Sequence, residues 1–84
     1  MLFYVYVVLC EDGSYYTGYA KDVNSRINQH MRGAGARYTK LHRPERLVYT
    51  EKFDTRREAM KREREIKQLS HREKHKLVNL HPPI

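Results

Sequence analysis

Apolar and polar positions change rhythm along this chain. Phe3 to Cys10 is an unbroken run of aromatic, β-branched and other apolar residues, and Tyr15 to Ala20 is a second candidate strand. Glu11-Asp12-Gly13-Ser14 lies between them, and Asp-Gly between two such runs signals a hairpin. Strand alternation puts Tyr4, Tyr6 and Val8 on one face, and Phe3, Val5, Val7 and Leu9 on the other. In the second strand Tyr16 and Gly18 share a face, opposite Tyr15, Thr17 and Tyr19. The spacing then turns helical. Val23, Ile27 and Met31 recur every fourth residue, with Asp22 as N-cap and Gly33 placed to end the helix. Arg26 and His30 each sit about 60° from this stripe, so they border its buried face.

Residues 32–46 read as a glycine-containing loop with five Arg or Lys and one Glu. Leu47 to Phe53 reads as a third strand. Thr55-x-x-Glu58 and Ser70-x-x-Glu73 are capping boxes that predict two more helices, the latter carrying Leu77, Val78 and Leu80. The closing His-Pro-Pro-Ile is not helical. These elements predict an α/β fold: one domain over residues 1–84, with a small three-stranded antiparallel sheet flanked by about three helices. No repeat, linker or partner domain interrupts it.

Charge narrows the partner. The chain has 17 Lys and Arg against 10 Asp and Glu, a net +7, with a pI near 9.8. Such an excess favours an anionic partner, nucleic acid first and an anionic membrane surface second. The single cysteine, Cys10, cannot pair within the chain, which fits a reducing cytoplasm. The apolar run Leu2 to Cys10 lacks a basic start and a cleavage site and is too short to span a bilayer.

The second predicted helix contains an anomaly. Its apolar positions are Ala59, Met60 and Ile66, and Glu63 falls among them, whereas Glu58 and Glu65 fall on the polar side. A carboxylate on a buried stripe needs a cation, a donor or a metal. A structural ion pair with an arginine satisfies it as well as a metal does. The rest of the run from Arg56 to Arg64 reads as a solvated face with i, i+4 pairs. His71 and His75 are also four apart, but no further ligands accompany them as zinc would need. Cys10 reads as a buried strand residue rather than a nucleophile.

Taken in order, these residues form a set. Tyr4-Val5-Tyr6 lies in the first strand and Tyr16-Thr17-Gly18 in the second. Arg26 and His30 follow on the first helix, and Glu63 on a later one. The set resembles the GIY-YIG nuclease domain over essentially the whole chain. The segments "GAGARYTKLHRPERLVY" and "EAMKREREIKQLS" look like its small stand-alone bacterial branch, largely uncharacterised. Tyr4 stands where the family name has Gly, and Thr17 where it has Ile; neither position would supply chemistry. The resemblance implies one divalent metal, Mg²⁺ or Mn²⁺, on Glu63, and in-line hydrolysis of a phosphodiester. It implies Arg26 as a phosphate clamp and Tyr6 as general base or water positioner; the phenol is a poor base at pH 7 unless Arg26 and the metal lower it. Tyr16 and His30 would bond the water, Tyr6 or the phosphate. Tyr4, Tyr15 and Tyr19 are left to packing. A supporting asparagine of the family has Asn79 as its nearest counterpart, without a fixed register.

Two functional classes follow. One is a metal-dependent endonuclease, on DNA ahead of RNA. The other is a non-catalytic nucleic-acid-binding module on the same fold. An interaction adaptor has no positive feature behind it. In either class Arg37, Lys40 and Arg43 of the basic loop are expected on phosphates.

Overall fold

A computed structural model of the chain describes residues 2–33 and 37–80. The elements run β1 (Phe3–Cys10), β2 (Tyr15–Ala20), α1 (Val23–Met31), α2 (Arg37–Leu41), β3 (Pro44–Phe53), α3 (Arg56–Lys67) and α4 (His71–Leu80). The three strands form an antiparallel sheet in the order β2-β1-β3. The hairpin turns at Gly13, whose φ is +85°, and α1 ends at Gly33, whose φ is +76°; both lie in the left-handed region that suits glycine. Asp22 caps α1 by accepting from the Ser25 amide at 3.1 Å. Both predicted caps form, and the second closes reciprocally. The Thr55 hydroxyl accepts from the Glu58 amide, and Ser70 and Glu73 exchange bonds in both directions.

β1 is central, so both its edges are paired, and the burial of Val5, Tyr6, Val7 and Val8 shows that both its faces are covered too. Val5 and Val7 pack with Tyr49, Ala59, Ile66 and Val78 in the main core, and Phe3, Tyr15, Tyr19, Val48, Phe53 and Leu77 flank it. Tyr6 and Val8 point to the opposite face and are also buried.

The structure departs from the sequence reading in four places. The predicted loop contains a helix, α2, so four helices flank the sheet rather than three. Tyr38 stacks on His42 one turn later, at 4.1 Å between ring centres, and Thr39 turns inward; these contacts stabilise a turn with no apolar stripe to announce it. Residues 34–36 of that loop, and the terminal His-Pro-Pro-Ile, lie outside the described residues. β3 starts at Pro44 rather than Leu47, because Pro44 pairs with Cys10 across an irregularity in the ladder. The helix faces are also rotated. On α1 the buried residue is His30, while Met31 of the apolar stripe is 51% exposed. On α3 Ala59 and Ile66 are buried but Met60 points outward. In both helices a polar side chain with inward partners displaces an apolar one.

Candidate active site

The register of the hairpin sets the site. Tyr6 lies opposite Gly18 and Val8 opposite Tyr16, so Tyr6, Tyr16 and Gly18 share one face as the alternation predicts. The Tyr6 ring lies directly across Gly18. A Cβ there would come within 2.5 Å of the Tyr6 hydroxyl and 2.7 Å of its ring. Glycine is therefore needed at this position for close approach. The Tyr6 and Tyr16 rings sit 6.3 Å apart.

α1 brings His30 onto the same two tyrosines. Its Nε2 is 2.9 Å from the Tyr6 hydroxyl, and its Nδ1 is 2.8 Å from the Thr39 hydroxyl. Its ring lies 5.0 Å from that of Tyr16. A histidine with both nitrogens engaged can be fully buried at little cost. Burial, reinforced by the Arg26 charge, pushes the His30 imidazole below its usual value. Burial pushes Tyr6 up to about 12; neighbouring Tyr16 adds to this, and Arg26 opposes it without prevailing. Tyr16 is raised as well, by burial first. Arg26 lowers the Tyr6 phenol in the expected direction, but desolvation outweighs the guanidinium.

Tyr6, Tyr16 and Gly18 open onto a cleft of about 530 Å³ that Arg26 and Glu63 also line. Phe3, Tyr19, Ala20, Lys21 and Arg56 complete it. The cleft sits at β2, an edge strand, and takes residues from both faces of the sheet. This is how Glu63, from the helix behind the main core, reaches the tyrosines. His30 lies behind Tyr6 rather than on the cleft wall. Part-buried Arg26 donates to the Gln29 side-chain amide oxygen at 2.7 Å and also acts on the Tyr6 and Tyr16 hydroxyls. The Glu63 side chain is 16% exposed, and its ion pair is with Lys67, at 3.7 Å on the outer surface of α3. The arginine pair allowed for Glu63 is not formed among the described residues. It occurs one position earlier, where Arg62 donates to Glu51 at 2.9 Å and Glu51 also accepts from the Tyr49 hydroxyl. Arg62, read from sequence as part of a solvated face, is a tie between α3 and β3.

The remaining candidates lie elsewhere. Lys40 and Arg43 line a second hollow with Arg32 and the far side of His30, and Arg37 is exposed at the start of α2. None of these three lines the cleft. The cations that do, besides Arg26, are Lys21 and Arg56, and no spacing in the sequence marks them out. Tyr38, also unmarked, stacks beside Tyr16 at 5.8 Å. His71 and His75 do not converge: His71 bonds the Gly13 carbonyl oxygen at 2.8 Å and His75 the Tyr15 hydroxyl at 3.0 Å, fastening α4 to the hairpin. Asn79 donates to the His75 carbonyl oxygen and lines a different hollow. Cys10 is buried, and burial raises its thiol. Among the described residues no group of three or more His, Cys, Asp or Glu could hold a metal by itself. None of the described helices is long and apolar enough to cross a membrane.

The family model of the GIY-YIG catalytic domain matches residues 2–76. Curated relatives include a UPF0213 protein of Staphylococcus saprophyticus, 58% identical over 90% of this chain and 93% of its own length. A UPF0213 protein of Staphylococcus aureus is 56% identical over 89% of this chain and 92% of its own. Among solved structures, the UPF0213 protein of Bacillus halodurans aligns at TM-score 0.61 and 51% identity, over 95% of this chain and 85% of that one. A protein of E. faecalis aligns at TM-score 0.64 and 40% identity with the same coverage.

Proposed function

Because the chain belongs to the GIY-YIG catalytic-domain family, we propose that it hydrolyses phosphodiester bonds of nucleic acid, DNA ahead of RNA, as an endonuclease of the cytoplasm. The observation that carries this reading is the cleft itself. Tyr6, Tyr16, Arg26 and Glu63 come from two strands and two helices, spread over the sequence, and line one opening. A surface that only binds phosphate has no need of a mostly buried carboxylate beside its arginine.

Among the described residues, Glu63 is the only carboxylate lining the cleft. A closed structural site, as for zinc, is therefore not what these residues fit. One carboxylate fits a hard cation that keeps several waters and takes phosphate oxygens, Mg²⁺ or Mn²⁺. Bound there, such an ion supplies charge stabilisation to the phosphate and its leaving oxygen. Arg26 has a planar fork of donors suited to a non-bridging phosphate oxygen.

Tyr6 and His30 form the proton-handling pair. Both are neutral at pH 7, given the raised phenol and the lowered imidazole. In the Nδ1–H tautomer that this role requires, the phenol O–H donates to His30 Nε2 and Nδ1–H donates to the Thr39 hydroxyl, over the observed contacts of 2.9 and 2.8 Å. As the attacking water forms its bond to phosphorus, its proton goes to the Tyr6 oxygen while the phenol's own proton passes to Nε2. The bond to the leaving oxygen breaks on the opposite side. No free phenolate is required, so the raised phenol is no obstacle. Tyr16, whose ring flanks Tyr6, is placed to hold the water.

The test is incubation of the protein with labelled single-stranded, duplex, nicked and branched DNA, and with RNA, in Mg²⁺ or Mn²⁺. Cleavage of at least one DNA form, abolished by chelation, is expected. Binding without cleavage of any substrate would make it the non-catalytic module instead.

A further inference from the structure

Among the described residues, three cations but one carboxylate line the cleft: Lys21, Arg26 and Arg56 against Glu63. Arg26 lies with the buried tyrosines, where the reacting phosphate would sit. The other two stand apart at Phe3. Lys21 Nζ is 5.7 Å from the centre of the Phe3 ring, and the Arg56 guanidinium carbon is 5.8 Å from it. Both side chains belong to exposed residues, and neither has an ion-pair partner among the described residues. Other basic residues do: Arg62 pairs with Glu51 and Glu65, Lys67 with Glu63 and Arg43 with Glu11.

We infer that Lys21 and Arg56, gathered on the Phe3 ring, form a second phosphate subsite that takes the backbone phosphate next to the one cut, an inference that rests on the nuclease reading. The two cations come from elements far apart in sequence, Lys21 just before α1 and Arg56 as the first residue of α3. The fold brings them to one aromatic ring although like charges repel. The ring face attracts each cation and holds it without neutralising it. An arrangement of this kind gains most when an anion arrives within reach of both charges. A nucleic-acid strand held at the cut phosphate carries another phosphate on either side of it. Arg26, Lys21 and Arg56 line one and the same cleft, so the pair at Phe3 is available to one of those neighbours. Lys40 and Arg43, on the second hollow, do not reach this place.

The experiment measures binding, not cutting. Affinity of the wild-type protein for a fluorescein-labelled DNA duplex is read by anisotropy in EDTA across a salt series. The same is done for Lys21→Gln, Arg56→Gln and the double variant, with melting curves to verify the fold. Each subsite cation neutralises one phosphate, so each single change should lower the slope of log affinity on log salt by about 0.9, and the double change by about 1.8. Wild-type binding with a salt slope that the double variant leaves unchanged overturns the subsite and leaves the nuclease reading standing. Wild-type protein with no salt-dependent binding to DNA, or to an RNA of the same sequence, overturns both.

Discussion

The hydroxyl of Tyr6 depends on what Gly18 lacks. A methyl group at position 18 would meet the phenol oxygen at 2.5 Å, so Gly18→Ala must move the ring and break its bond to His30. The expected cost is about 1–3 kcal/mol of stability, as for other overpacked sites. Loss of the proton path should also lower cleavage about 100-fold or more. A variant that melts and cuts like the wild type would contradict the geometry. His30 gives a second residue-scale prediction, read from pH. Its folded pKa is lowered from 6.5, so the unfolded chain takes up a proton first as pH falls. Its contribution to stability is present above about 6.5 and is lost as pH falls from there toward the lower folded value. Denaturant unfolding over roughly pH 5–7 should show a steeper fall for the wild type than for His30→Gln. Identical slopes would mean the ring is not buried neutral. Tyr6, Tyr16 and Gly18 were legible because strand alternation has a period of two and the Asp-Gly turn fixes the register. His30 was legible as a residue but not as the most buried one of its helix. Nothing in the sequence says that Thr39, in a segment read as loop, waits on its far nitrogen.

Elements show where pattern reading fails. Periodicity located α1 and α3 correctly but rotated their faces, since it counts apolar residues and cannot see paired polar ones. Arg62 is the clearest case: it is drawn inward by Glu51, on a strand 11 residues earlier. A double-mutant cycle on Glu51→Gln and Arg62→Gln should therefore give a coupling of about 1 kcal/mol, toward the upper end for partly exposed pairs. The same cycle on Glu63→Gln and Lys67→Gln should give about 0.3–0.5 kcal/mol, as for helix-surface pairs. Equal couplings would mean that the tie between α3 and β3 is no more than a surface contact. The helix α2 was missed for a related reason. Its stabilising contacts, Tyr38 on His42 and Thr39 on His30, are single side chains rather than a stripe.

At the scale of the molecule, the net charge of +7 pointed to an anionic partner but not to a surface. The basic loop drew attention by its density, yet its cations lie away from the cleft. The cleft's own cations Lys21 and Arg56, without ion-pair partners among the described residues, are placed there by the fold. Glu63 connects these scales. Its position in sequence suggested either a metal ligand or half of a buried ion pair, and the pair observed is with Lys67 on the solvent side. Removing its charge therefore strands no buried arginine. The most direct measurement is cleavage of labelled DNA in Mg²⁺ by wild-type protein and by Glu63→Gln, each with its melting temperature. The account predicts metal-dependent products from the wild type and none from the variant. It also predicts a melting temperature shifted by less than about 4 °C, since the lost pair is worth well under 1 kcal/mol. A Glu63→Gln protein that cuts as fast as the wild type, or a wild type that binds DNA and cuts none of it, would contradict the account.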